Sequence, residues 1–139
     1  MDAVSFIGKV IALFGSQEHR FVQMRADGVV GILDDANMLP ANIGIGQQWE
    51  RFTVIDAGGG EVAFHNRFHN RFLRLNGDSV DGYGGPRNAT DLPADWLAER
   101  FRIIDAGNGK FALHNASHNR FIRVCGGMVD ARGGPMNVE

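Results

Sequence analysis

Phe64-His65-Asn66-Arg67-Phe68-His69-Asn70-Arg71-Phe72-Leu73-Arg74 aligns without a gap on Leu113-His114-Asn115-Ala116-Ser117-His118-Asn119-Arg120-Phe121-Ile122-Arg123. A diverged third copy runs Leu13-Phe14-Gly15-Ser16-Gln17-Glu18-His19-Arg20-Phe21-Val22-Gln23. Three copies about 50 residues apart imply internal pseudo-threefold symmetry, so one repeat is the unit from which the fold is built.

Within the second copy, Glu61–His65 can alternate between faces, and Arg71-Phe72-Leu73-Arg74-Leu75 is rich in aromatic and branched residues, so both read as strands. Asn76-Gly77-Asp78-Ser79 carries turn chemistry, Val80–Tyr83 starts a third strand that Gly84-Gly85-Pro86 ends, and Ala98–Ile104 is a fourth. No stretch keeps a helical period, and only the neighbourhood of Trp96 suits a single helical turn. Equivalent landmarks recur: Val29, Val80 and Val129; Asn37, Asn88 and Asn137; Trp49–Phe52 and Ala98–Phe101; Val54–Gly58 and Ile103–Gly107. Four short strands taken three times predict an all-β chain, a β-trefoil of three four-stranded repeats. The period of two places Val22 and Met24, Leu73 and Leu75, and Ile122 and Val124 on the interior face. Phe21, Phe72 and Phe121 point the other way, and Arg74 and Arg123 face solvent.

The last copy stops at Asn137-Val138-Glu139, before any counterpart of Glu99–Ile103, while Ala3-Val4-Ser5-Phe6-Ile7 has strand-like alternation and no partner. An open barrel edge is an aggregation hazard. The N-terminal strand is therefore predicted to complete the last repeat. Residues 1–139 then form one β-trefoil domain, with repeats at about 8–58, 59–107, and 108–139 plus 1–7.

The chain has 139 residues, 44% hydrophobic and 22% charged, with a net charge of −2 and 19 glycines. That length suffices for one packed core, and the glycines suit many tight turns. The slight acidity argues against nucleic acid as a partner. No apolar run approaches a membrane span, and Met1-Asp2-Ala3-Val4 does not resemble a signal peptide, so no membrane insertion is expected. The single Cys125 forbids an intrachain disulfide and fits a reducing, cytoplasmic setting.

Phe72–Gly82 resembles the corresponding hairpin of fibroblast-growth-factor-like trefoils. Lys110–His114 and Asn119–Arg123, followed by Val129-Asp130-Ala131, resemble the fascin-like, actin-crosslinking branch, as does Asn88-Ala89-Thr90 leading to Glu99-Arg100-Phe101. The resemblance covers essentially the whole chain at the level of pattern. It implies the trefoil fold and, for function, an actin- or protein-interaction module. Gln48-Trp49 is not the Gln-x-Trp signature of ricin-type lectins. One fold hosts sugar-binding, cytokine, inhibitor and actin-binding roles, so the site must decide.

Two readings of the repeated polar residues stay open. The pairs His65/His69 and His114/His118 straddle turns without nearby carboxylates, so no metal site is expected; they and Asn66, Asn70, Asn115 and Asn119 suit hydrogen bonding to turn backbone. Gly84-Gly85-Pro86-Arg87-Asn88 and Gly133-Gly134-Pro135-Met136-Asn137 lack the Lys-Ser/Thr of a phosphate loop. They form either backbone corners or shallow polar clefts. One cleft would be lined by Asp81, Tyr83, Arg87 and Asn88, the other by Asp130, Arg132 and Asn137. The first copy has Val30 where the others have Asp81 and Asp130, and Leu33-Asp34-Asp35 in place of Gly-Gly-Pro. Its longer insertion, Ala41–Gly46, offers a contact surface. No nucleophile–base pair appears, Asp56 and Asp105 suit capping beside glycine turns, and nothing activates Cys125. The sequence therefore predicts a non-enzymatic binding module without cofactor, first a carbohydrate-binding, lectin-like trefoil. The alternatives are a fascin-like actin- or protein-interaction module and an architectural subunit. The partner is accordingly a glycan or a protein.

Overall fold

The computed structural model describes residues 6–15, 20–32, 48–125 and 128–131, with Val124, Cys125 and Met128 described in backbone only. The strands are β1 (Val10–Ala12), β2 (Phe14–Gly15), β3 (Arg20–Met24), β4 (Val30–Ile32), β5 (Arg51–Gly58), β6 (Glu61–Asn66), β7 (Arg71–Phe72), β8 (Arg74–Asn76), β9 (Ser79–Asp81), β10 (Arg102–Gly107), β11 (Lys110–Asn115), β12 (Arg120–Phe121), β13 (Arg123–Cys125) and β14 (Met128–Asp130). The helical turn expected near Trp96 is a 3-10 segment, Leu97–Glu99. The fold is all-β. Its antiparallel sheets have the orders β1-β5-β6-β7, β10-β11-β12, β13-β14-β9-β8 and β2-β3-β4. Among the described residues no helix is long and apolar enough to cross a membrane.

Each copy repeats one arrangement. Phe14 lies opposite Phe21, His65 opposite Phe72 and His114 opposite Phe121, each within the corresponding short hairpin. The strand predicted as Arg71–Leu75 breaks at Leu73, where it leaves β6 and turns to β9. Leu73 N–H still donates to Phe64 O (2.8 Å), as Val22 donates to Leu13 O (2.9 Å) and Ile122 to Leu113 O (3.0 Å). The long hairpins β5–β6 and β10–β11 share a bulge after Asp56 and Asp105. Gly58 and Gly107 sit there at φ 83°, a backbone region open to glycine at little cost. Their N–H groups donate to the carboxylates of Asp56 and Asp105, both at 2.9 Å, the expected capping role.

Interior alternation follows the period of two. Val22, Met24, Leu73 and Leu75 are buried in one cluster with Phe52, Val54, Val62, Phe64, Phe101 and Ile103, and Ile122 packs against it half-buried. Phe21 and Phe72 are also buried, but on the opposite face, against the Phe14 and His65 rings at 4.8 Å. The N-terminal residues 1–5 lie outside the described region. Phe6 and Ile7, the end of the expected closing strand, are not in a strand: they lie in a turn closed by Lys9 N–H to Phe6 O at 3.0 Å, and the first strand starts only at Val10, although both side chains pack against the core and Phe6 meets Phe111 edge-on at 5.3 Å.

Three sequence expectations are corrected. The expected fourth strand does not begin at Ala98, because Leu97–Glu99 is helical and β10 starts at Arg102 after an isolated bridge between Phe101 and Val62. The first-copy counterpart of Asp81 and Asp130 is Gly31, not Val30. Gln23 faces Gly31 as Arg74 faces Asp81 and Arg123 faces Asp130, and Met24 faces Val30 as Leu75 faces Val80. The cause is a turn one residue longer in the first copy, closed by Arg25 N–H to Val29 O at 2.9 Å. Arg74 does not simply face solvent. It is three-quarters covered and paired with Asp81, whereas Arg123 keeps 44% of its side chain exposed.

Candidate functional site

The repeated asparagines and histidines hold turns together. Asn66 is fully buried; its side-chain amide donates to Gln48 O, Trp49 O and Arg51 O at 3.1–3.2 Å, and its oxygen accepts His69 N–H at 2.9 Å. Asn115 does the same with Leu97 O, Ala98 O, Arg100 O and His118 N–H. Each clamps the turn after one strand to the chain 15–18 residues upstream. His65 Nε2 sits 3.1 Å from Asn70 Oδ1 and 2.9 Å from Arg87 O, and burial pushes its pKa below the usual value. His114 repeats the contact with Asn119 Oδ1 at 3.0 Å. Asn70 and Asn119 are left-handed at φ 56° and 52°, which asparagine adopts more readily than most residues. Among the described residues no three His, Cys, Asp or Glu side chains gather as a metal site would require.

The predicted cleft residues separate into different environments. Asp81 is buried; its carboxylate takes Arg74 Nε at 2.8 Å, Arg74 Nη2 at 3.3 Å and the Tyr83 N–H at 3.0 Å. Asp130 is likewise buried and takes Arg123 Nε at 2.7 Å. Behind Asp81 lies buried Glu99, whose carboxyl is held above its ordinary pKa by loss of water, against the pull of Arg74. Asn88 Oδ1 accepts from Asn70 at 2.9 Å, and the Arg87 guanidinium binds Asp91 at 3.0 Å and lies 4.7 Å from the Trp96 ring centroid. Gly84 packs so closely that a side chain there would meet Trp96 at 3.0 Å and Glu99 at 3.1 Å. Asp81, Arg87 and Asn88 are thus joined to partners within the chain, and of these four residues Asn88 and Tyr83 are exposed. Arg132 and Asn137 of the second predicted cleft lie outside the described residues, as do residues 33–35, the 41–46 insertion, and the Gly133–Asn137 corner.

Tyr83 belongs instead to a strip that spacing alone does not reveal. Trp49, Phe68 and Tyr83 are 38%, 61% and 54% exposed, and they make up half of the large apolar side chains exposed among the described residues. The rings of Trp49 and Phe68 lie 6.5 Å apart, and both pack on His69 at 4.9 Å. Burial and the nearby Arg71 lower the pKa of His69, while the Asp27 carboxylate pulls the other way, so both charges sit beside it. His69 Nε2 is covered and has no hydrogen-bond partner. Arg71 Nη1 donates to Gly82 O at 2.9 Å. Both Arg71 Nη1 and Tyr83 Cδ1 lie 2.9 Å from the place a side chain on Gly28 would occupy, so guanidinium and ring are neighbours and together cover the buried Gly28 backbone. Asp27 is exposed, and its carboxylate is oriented by the Val29 N–H at 3.0 Å.

The strip draws on two copies: the turn 25–29 and Trp49 of the first, and the turn 66–71 and loop 82–83 of the second. Its aromatic pair is not repeated, because Ala98 and Ser117 stand where Trp49 and Phe68 would recur. The signal available in the sequence was this difference between copies, which a search for shared residues passes over.

No family model matches the chain, and no curated protein matches it in sequence. Among solved structures it is similar to a chain in the crystal structure of cytolethal distending toxin from Actinobacillus actinomycetemcomitans. The TM-score is 0.63 at 12% identity, over 88% of this chain and 78% of that one. A likeness at this identity is one of fold.

Proposed function

We propose that the chain is a β-trefoil acting as a non-enzymatic, lectin-like carbohydrate-binding module, and that its ligand lies on the strip from Trp49 to Tyr83. The fold reading is supported by the hairpins of the three copies, which share cross-strand pairs and the same strand switch at Val22, Leu73 and Ile122. The observation that carries the function is the exposed aromatic set flanked by Asp27 and Arg71. A pyranose presents C–H faces that pack on aromatic rings and hydroxyls that need fixed donors and acceptors. Apolar ring surface with a few placed polar groups is the composition of small-ligand sites. Exposed rings gathered in one place cost solvation and call for an occupant.

The repeated aspartates do not serve this role in the proposal, since their carboxylates are buried and paired. A single site per chain follows, because the Trp49–Phe68 pair occurs once. A glycan array run on the parent and on Trp49→Ala tests the reading, with actin co-sedimentation in parallel for the fascin-like alternative. Binding by the parent that Trp49→Ala loses supports it. A blank array with actin pelleting replaces it by the protein-interaction module.

A further inference from the structure

We infer that the strip holds an oligosaccharide across two sugar subsites rather than a single sugar, one on Trp49 and Phe68 and the other on Tyr83; this rests on the carbohydrate reading above. The rings form two separate surfaces. Trp49 and Phe68 share His69 as their base, while among the described residues Tyr83 makes no ring contact and instead borders Gly28 and Arg71. The Arg71 guanidinium and the Tyr83 ring together cover the buried Gly28 backbone, and Arg71 also neighbours His69, so Arg71 links the two surfaces.

Polar groups stand beside the rings. Asp27 spends one oxygen on the Val29 N–H, yet a carboxylate has about four acceptor positions, so it can still take sugar hydroxyls. Arg71 is anchored through Nη1 to Gly82 O, and a guanidinium carries five N–H donors, leaving others for a ring or linkage oxygen. A sugar fixed on the first surface presents its neighbour to Tyr83 at high effective concentration, so occupancy of the second subsite adds affinity that a monosaccharide cannot reach.

The test is calorimetric titration with three ladders: N-acetylglucosamine to chitotetraose, glucose to cellotetraose, and galactose to β-1,4-galactotetraose. At least one ladder should gain tenfold or more in affinity between one and three units and little beyond. Tyr83→Ala should remove that gain, leaving three units bound about as weakly as one, and Tyr83→Phe should keep it. Trp49→Ala should weaken every member. Equal affinity along a ladder, or a gain that survives Tyr83→Ala, overturns the two-subsite inference and leaves the carbohydrate reading standing. No binding by any member, together with a blank array, overturns both.

Discussion

Replacing Arg74 by alanine removes the cation that faces two buried carboxylates. Asp81 is 5% exposed and Glu99 3%, and Arg74 reaches Asp81 through two hydrogen bonds. Breaking a buried pair by deleting one partner costs about 3–5 kcal/mol, because the remaining charge stays desolvated. Arg74 keeps a quarter of its side chain in water, so the loss should fall near the lower end, about 3 kcal/mol. For a domain of this length that lowers the melting temperature by roughly 10 °C. The pH dependence has a definite sign. Burial raises the Glu99 pKa above its unfolded value of 4.5, so its contribution is most favourable below that value and is lost as pH rises through the folded pKa. Arg74 opposes this shift, and its removal enlarges it. The deficit of Arg74→Ala against the parent should therefore be largest at pH 7 and shrink as the pH approaches 4.5. Arg74→Gln should lose less, since Gln23 stands at the equivalent position and donates to Glu50 at 2.7 Å. Urea denaturation at pH 7 and pH 4.5 reads both effects. An unchanged midpoint for Arg74→Ala, or a deficit that grows on acidification, would refute the reasoning.

Asn66→Ala should cost about 2–3 kcal/mol in urea melts, since it strips one buried side chain of four hydrogen bonds and leaves three carbonyls without that donor. Asn115→Ala should match it, and a loss below 1 kcal/mol (about the worth of one ordinary hydrogen bond) in both would mean that water replaces the amides freely. Leu73→Ala, at the strand switch in the core, should cost about 2–5 kcal/mol by the same assay. Trp49→Ala should change stability by only about 0.5 kcal/mol while abolishing glycan binding, and a cooperative unfolding loss comparable to Leu73→Ala would make that residue structural instead.

The all-β class and the short hairpins were legible because they depend on short-range signals that recur along the chain. Alternation at Val22/Met24 and Leu73/Leu75 gave the interior face, and Asp56-Ala57-Gly58 with Asp105-Ala106-Gly107 gave the bulged turns. The break at Leu73 was not legible, because a strand that changes partners keeps its propensity throughout. The Gly31 register was hidden by one added residue in a turn, which shifts every later alignment by one. Asp81 stands out in the sequence as a repeated carboxylate, but recurrence alone does not distinguish a ligand site from an ion pair, and its partner, Arg74, lies across the hairpin. The strip is not legible for the opposite reason. Trp49, Phe68 and Asp27 come from separate parts of the chain and are set together only by folding, and they mark what the copies do not share.

The most direct measurement uses the two tryptophans as internal probe and control. Trp49 lies on the strip, while Trp96 packs under Gly84 and Arg87. In a two-dimensional 15N–1H spectrum each indole N–H gives one signal, and single Trp→Phe variants assign them. Titrating in the best glycan from the array should shift the Trp49 indole signal progressively to saturation at one ligand per chain and leave the Trp96 signal in place. A saturable shift at Trp96 with Trp49 unmoved would contradict the assignment of the site.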